Sequence, residues 1–167
     1  MNKLLLTILL LSTLSVSGSE KIYVWDFTTR DLQINESTTN LTIEFETALQ
    51  SVGCLSLIDR RSLDQILQQR ASERAIYDLE NASPNMLKEL KIRNATGVIF
   101  GEIYDDKNSG QIRIQVKLQD FTGQIVRISS IRMDRGKISD GISRELYMST
   151  LAKQFCEFFK KSNRFMK

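Results

Sequence analysis

Histidine is absent from this chain of 167 residues. Its absence excludes catalytic triads with a histidine base, cysteine–histidine nucleophile pairs and zinc sites with histidine ligands. The two cysteines are too few for a zinc site made of cysteine alone. Neither glycine-rich phosphate-binding pattern, G-x-x-x-x-G-K-[ST] or G-x-G-x-x-G, occurs in the sequence. We therefore expect no metal ion, nucleotide or other cofactor.

A strong excess of charge of one sign is also lacking. The chain has 23 lysines and arginines against 20 aspartates and glutamates, and these are interspersed. The one local excess is the terminal "KKSNRFMK", which is typical of a solvated chain end. Nucleic-acid-binding proteins carry a clustered basic face. We therefore expect no nucleic-acid partner.

The N-terminal segment is typical of an export signal. Lys3 precedes the apolar run 4–14, and small residues follow that run. Cleavage before Gly18 or before Glu20 would suit the serines there, which predicts a signal peptide of residues 1–17 or slightly longer. An uncleaved anchor is the alternative, but the run is shorter than the roughly 20 apolar residues of a membrane span.

The rest of the chain, residues 18–167, suits one domain with its own core. No later apolar stretch is long enough to span a membrane, so we expect no transmembrane segment in the mature chain. No cysteine follows the signal at which a lipid could be attached. The expected location is the periplasm or the exterior of the cell.

Hydrophobic periodicity predicts an α/β fold with the order β-α-β-α-α-β-β-β-α. The early β-α-β steps imply parallel strands, and the later hairpins add antiparallel strands, which gives a mixed sheet covered by helices. We expect a bulge near Ser129 and Ser130, where the alternation slips. The predicted strands are 21–27, 54–59, 96–104, 111–121 and 124–133, and the predicted helices begin near Asn40, Ser62, Ser83 and Ser139.

Two of these elements carry further expectations. The alternation of hairpin 111–133 is compatible with membrane strands, but the outward positions Arg113, Gln115 and Lys117 favour a solvated sheet face. The terminal helix has a broad apolar face that we expect to be buried. This face consists of Ile142, Leu146, Leu151, Phe155, Phe158 and Phe159.

Several segments together resemble the CsgG-type curli assembly family. In order, they are "VWDFTTR", "FETALQSVGCLSLIDRRSLDQILQQR", "LKIRNATGVIFGEIYDD" and "IRIQVKLQDFTGQIV". The same pattern is similar to the LpoB-like activators of penicillin-binding proteins, to a flagellar outer-membrane family and to the amino-terminal domain of TolB. It covers most of residues 21–130. The resemblance implies a fold like the anticodon-binding domain of tRNA synthetases.

The resemblance also implies an accessory or binding role in the cell envelope, and no catalysis. Many members of the family are lipoproteins, whereas this sequence lacks the acceptor cysteine, and a channel of its own is not expected. The implied partner is another envelope protein; assembly of several copies of the chain is a second alternative.

Asp26, Asp59 and Arg60 are the candidate binding residues, because they lie at the carboxyl ends of two predicted strands. Ligands of open α/β sheets bind at that edge, and an arginine there could hold an anion. In the structural alternative, which we favour, Arg60 pairs with Asp59, Asp26 or a nearby carbonyl and fixes the corner.

The leading interpretation is an exported, non-enzymatic adaptor of the cell envelope, with a role in assembly or secretion or in regulating an envelope enzyme. The alternative is an enzyme of unknown class that uses the carboxylates of Asp26, Asp59 and Glu102. A third interpretation, nucleic-acid binding by fold analogy, lacks support from the charge pattern.

Cys54 and Cys156 could form a disulfide, since an exported protein meets oxidising conditions. Two buried free thiols are the alternative, and we predict them because few placements of a helix on a sheet satisfy disulfide geometry.

Overall fold

The computed structural model of the chain describes residues 21–29, 35–60, 84–106 and 108–161. The predicted signal peptide, the start of the predicted helix near Ser62 and residues 162–167 of the basic tail lie outside these residues. The strands are β1 (Lys21–Val24), β2 (Thr28–Thr29), β3 (Ser56–Leu57), β4 (Ala95–Asp106), β5 (Gln111–Asp120) and β6 (Ile125–Asp134). The helices are α1 (Asn35–Val52), α2 (Pro84–Ile92) and α3 (Gly141–Lys161).

The strands form one mixed sheet in the order β3-β1-β4-β5-β6, with β2 also paired to β4. β1 is parallel to β3 and β4, whereas β4, β5 and β6 form an antiparallel meander. This confirms the predicted α/β class with a mixed sheet packed against helices. The first predicted strand is interrupted: β1 ends at Val24, and the chain rejoins the sheet as β2, where Thr28 pairs with Glu102.

One side of the sheet is covered by α1 and α3. The core between them includes Phe45 of α1, Phe155 of α3 and Ile114 of β5, all fully buried. α2 covers the opposite side near β1 and the start of β4, where Leu90 packs with Trp25 and Val98. Successive residues of a strand face opposite sides of the sheet. On the side of α2, the part of the sheet away from α2 therefore carries the polar residues of β4, β5 and β6.

The first two turns of α3 depart from the prediction. Ile142 and Leu146 are 81% and 67% exposed, whereas Met148, Leu151 and Phe155 are fully buried. At about 100° per residue, Ile142 and Leu146 lie roughly 120° and 160° around the helix from Met148. The apolar face was therefore predicted too wide, and only its second part packs on the sheet.

The bulge lies three residues before its predicted position. Leu118 pairs with Arg127 and Gln119 pairs with Ile125, so Val126 is the extra residue of β6. Ser129 pairs regularly with Val116 and is buried. The slip in the hydrophobic pattern arises because a serine occupies a core-facing position, so a bulge at Ser129–Ser130 is wrong.

Within the described ranges, no helix combines the length and apolar character that crossing a membrane requires.

Candidate functional site

The ends of β1 and β3 form a polar corner, because these two strands are adjacent and parallel. Asp26 follows β1, and Asp59 and Arg60 follow β3. The guanidinium of Arg60 donates a hydrogen bond to Oδ1 of Asp26 and forms an ion pair with it. The structure thus brings Asp26 and Arg60 together, in the pairing that the structural alternative predicted.

Solvent reaches the two partners of this pair unequally. The Arg60 side chain is 15% exposed and the Asp26 side chain is 52% exposed, while Asp59 is exposed beside them. An anion from outside would have to compete with Asp26 for the arginine, because the guanidinium already donates to that carboxylate. A binding role for Asp26, Asp59 and Arg60 therefore stays a prediction, and the pair has a structural role in joining two strand ends.

Glu102 is not part of this pair. It lies on β4 opposite Thr28, and its carboxylate accepts a hydrogen bond from the Tyr104 hydroxyl. Of the described residues, Tyr104 is its one hydrogen-bond partner. No group of three or more acidic or cysteine side chains within the described ranges is placed to hold a metal ion.

A buried threonine of α1, Thr42, binds the backbone between β1 and β2. The backbone N–H of Phe27 donates to Thr42 Oγ1 at 2.9 Å, and that hydroxyl donates to the Thr38 carbonyl at 2.8 Å. Thr42 is fully buried. In the sequence, Thr42 is a threonine inside the apolar stripe of α1. This pattern did not identify Thr42 as a contact to the end of β1.

The Phe27 ring lies directly on the backbone of Gly101. A methyl group built on Gly101 would come within 2.1 Å of the ring. The second glycine of "TGVIFG" therefore has a packing reason, which is the close approach of an aromatic ring to β4.

The part of the sheet that α2 leaves uncovered presents side chains of β4, β5 and β6. We call it the open sheet face, and its residues are Glu102, Tyr104, Arg113, Gln115, Lys117, Ile128, Ser130 and Arg132. The prediction that Arg113, Gln115 and Lys117 face away from the helix-covered core is met here, since the intervening residues of β5 are buried.

Two of the cross-strand rows at the open sheet face contain cations. In one row Arg113 lies between Tyr104 and Arg132, and its guanidinium carbon is 4.7 Å from the centroid of the Tyr104 ring. In the other row Lys117 lies between Phe100 and Ile128, with Nζ 5.7 Å from the centroid of the Phe100 ring.

Two further ion pairs hold connections around the core. Arg144 of α3 donates from Nε to Glu44 of α1 at 3.0 Å. Burial raises the pKa of the Glu44 carboxyl, and the hydrogen bond and charge of Arg144 only partly offset that effect. Arg135 pairs with Asp105, whose side chain is 4% exposed.

Cys54 and Cys156 form a disulfide, so the predicted pair of free thiols is wrong. Their Cα atoms are 5.7 Å apart, within the window of about 4.4–6.8 Å that a disulfide requires. The physical reason is the packing of α1 beside α3. Cys54 comes just after the end of α1 and thereby lies alongside the second half of α3, a placement that spacing in the sequence does not reveal.

No protein-family model and no curated protein matches this chain. Its fold is similar to that of two solved proteins. One is lipoprotein GNA1162 from Neisseria meningitidis, with a TM-score of 0.53 and 14% identity over 80% of this chain and 94% of that one.

The other is the LpoB C-terminal domain from Escherichia coli. It has a TM-score of 0.51 and 16% identity, and the match covers 71% of this chain and 85% of that one. The curli-assembly branch of the resemblance gains no support from these structures. The chain therefore has an LpoB-like fold.

Proposed function

We propose that this chain is an exported, non-enzymatic accessory protein of the cell envelope, which acts by binding another envelope protein. The observation that carries its export is the disulfide between Cys54 and Cys156. Disulfides persist in oxidising compartments such as the periplasm and are rare in the cytosol. The N-terminal pattern of Lys3 and the apolar run 4–14 supports the same location.

The envelope role is supported by a likeness of sequence motifs and a likeness of fold. The motifs between residues 21 and 130 resemble the activators of penicillin-binding proteins, and the fold is similar to that of the LpoB C-terminal domain and of a protein named as a lipoprotein. Since one fold hosts many functions, the identity of the bound protein is left to experiment.

The enzyme alternative would need Asp26, Asp59 or Glu102 as an acid or base. Asp26 is engaged by Arg60, and Glu102 accepts from Tyr104. In an enzyme, loss of a catalytic acid or base costs on the order of 10²–10⁴ in rate. In an adaptor, the same single changes leave the effect on the cell intact provided that the protein folds.

The deciding experiment replaces the chromosomal gene in its own host with Asp26→Asn, Asp59→Asn or Glu102→Gln. We expect each variant to accumulate in the envelope, to keep its fold by circular dichroism and to restore the phenotype of the deletion. Cross-linking in intact cells then identifies the bound envelope protein, and its affinity is measured with both purified proteins. A folded single variant with the deletion phenotype, and no bound envelope protein, would favour the enzyme.

The alternative partner is a further copy of the same chain. Light scattering tests this by measuring the molar mass of the purified protein.

A further inference from the structure

We infer that the open sheet face is the surface by which this protein binds its partner, and that the bound element is an extended acidic segment of that protein. The inference rests on the proposed adaptor function and adds the surface and the chemistry of what it binds. Arg113 of β5 and Arg132 of β6 lie directly opposite each other in the sheet.

Two like charges in this position oppose folding, because directly opposite side chains of an antiparallel pair are only about 4.5–5.5 Å apart at Cβ. Both arginines are exposed, and neither forms an ion pair with a described residue. The cost of placing them together is offset when a carboxylate binds between the two guanidinium groups.

Among the described side chains of this face, the three cations Arg113, Lys117 and Arg132 outnumber the one carboxylate, Glu102. Glu102 accepts from the Tyr104 hydroxyl, and Asp134 pairs with Lys137 at 3.6 Å. Lys117 adds a third positive charge on β5, four residues from Arg113, which corresponds to about 13 Å along a strand. The face therefore offers positive charge at two separated points along one direction, which matches carboxylates repeated along an extended chain.

Between and beside these charges lies apolar surface. The Tyr104 ring stacks against Arg113, which holds that guanidinium in place, and Ile128 is 46% exposed next to Lys117. Tyrosine and arginine are enriched in protein interfaces. Basic clusters that bind anionic lipid typically contain four to eight lysines and arginines, whereas this face carries three, Arg113, Lys117 and Arg132. The geometry therefore favours a protein segment over a membrane.

The probe is a short synthetic peptide in which aspartate and threonine alternate. Its matched control has asparagine at every aspartate position. We expect the aspartate peptide to shift the backbone amide signals of β5 and β6 in NMR spectra of the wild-type protein, and the asparagine peptide to leave them unchanged. Added salt weakens the binding, because the contacts are solvent-exposed charges.

The test variant is Arg113→Gln with Arg132→Gln. The control variant is Lys91→Gln with Lys153→Gln, which removes two positive charges from exposed positions on α2 and α3. We expect at least about tenfold weaker binding of the aspartate peptide to the test variant, with binding to the control variant unchanged. Equal loss in both variants, or equal binding of both peptides, overturns the inference.

Two further probes test whether other negatively charged ligands bind this face. Vesicles that contain anionic phospholipid, or inorganic phosphate alone, overturn the inference if they bind at Arg113 and Arg132 and the aspartate peptide does not. The partner found by cross-linking separates the two proposals. If it binds wild type and the test variant equally, the adaptor function stands and this surface is wrong; if no partner is found and the peptide binds, the adaptor function fails instead.

Discussion

At the scale of single residues, the packing around β1 and β4 depends on side chains that approach backbone closely. Phe27 is 2% exposed and lies on Gly101, and its N–H is bound by the buried hydroxyl of Thr42. The ring therefore has little room to move away from β4, because cores are packed as densely as organic crystals.

We expect Gly101→Ala to destabilise the protein by about 1–3 kcal/mol, the usual cost of overpacking a core. The added methyl group would lie 2.1 Å from Phe27 Cδ1, so the ring or the strand must shift. Denaturant unfolding measures the loss. Gly136→Ala is the control, since nothing lies within 4 Å of a methyl group there. An unchanged midpoint for Gly101→Ala, or a smaller loss than for Gly136→Ala, contradicts this packing.

Asp140 caps the start of α3, because its carboxylate accepts the backbone N–H of Ser143 at 3.0 Å. Hydrogen bonds from the Ser143 side chain and from its backbone N–H lower the pKa of Asp140 below its ordinary value of 3.8. A lowered pKa means that the ionised cap stabilises the folded state above pH 3.8, and that this stabilisation is lost as the pH falls through the folded-state pKa.

We expect Asp140→Ala to lower the melting temperature at neutral pH, and the difference from wild type to shrink as the pH falls below about 4. Asp140→Asn keeps a side-chain cap without a titrating group and should retain more stability than the alanine variant. Thermal unfolding monitored by circular dichroism across this pH range measures both. A difference that grows on acidification would show that the carboxylate is not the cap.

At the scale of elements, α3 is attached to the rest of the fold at two points. Arg144 in its first turn pairs with Glu44 of α1, and Cys156 in its second half is linked to Cys54 ahead of β3. The middle of the helix buries Leu151 and Phe155 against the sheet.

We expect the disulfide to contribute about 2–4 kcal/mol, because it closes a long loop in the unfolded chain. The two cysteines are 102 residues apart. Reduction should shift the denaturant midpoint of wild type downward and leave Cys54→Ser/Cys156→Ser unaffected. Thiol titration of unreduced protein in denaturant should find no free thiol, and two free thiols per chain would refute the bridge.

At the scale of the whole molecule, the sheet is covered unequally. Among the described elements, α1 and α3 cover one side, while α2 covers the opposite side near β1 and the start of β4. The remaining surface is the open sheet face, where the solvated side of an antiparallel meander meets water. The same half of the fold that supplies long, regular strands thus also supplies the surface that we assign to the partner.

We expect the mature protein to begin at Gly18 or Glu20 and to be released from the envelope without detergent. The reason is the short apolar run before these residues and the lack of a cysteine for lipid attachment after it. Intact mass of the protein purified from its own host tests this. A mass that includes Met1 to Ser17, or that includes acyl chains, would refute the predicted processing.

Local sequence patterns predicted most elements of this fold. Alternation at Ile112, Ile114 and Val116 gave β5 its buried and solvated sides, because successive residues of a strand face opposite ways. Pro84 opens α2 as expected, and Gly53 ends α1 with a φ of +67°, a conformation that glycine adopts without strain. Such features depend only on neighbours in the chain.

The start of α1 was predicted near Asn40 and lies at Asn35. Other errors concern contacts between distant residues. Ser129 was assigned to a bulge because a polar residue broke the alternation, whereas the bulge at Val126 is decided by how β6 pairs with β5. Ile142 was assigned to the core because apolar residues continue along α3, whereas the core ends where the sheet ends. Neither the position of the bulge nor the extent of the core can be read from a single segment of the sequence.

The sequence by itself determined the α/β class, the lack of histidine chemistry and the alternation that exposes Arg113 and Lys117. Only the tertiary structure decided that Arg60 pairs with Asp26, that Cys54 reaches Cys156 and that Arg132 lies opposite Arg113. The physical reason is that periodicity and turn residues act over a few positions, whereas these pairs are brought together by strand register and helix packing across the whole fold.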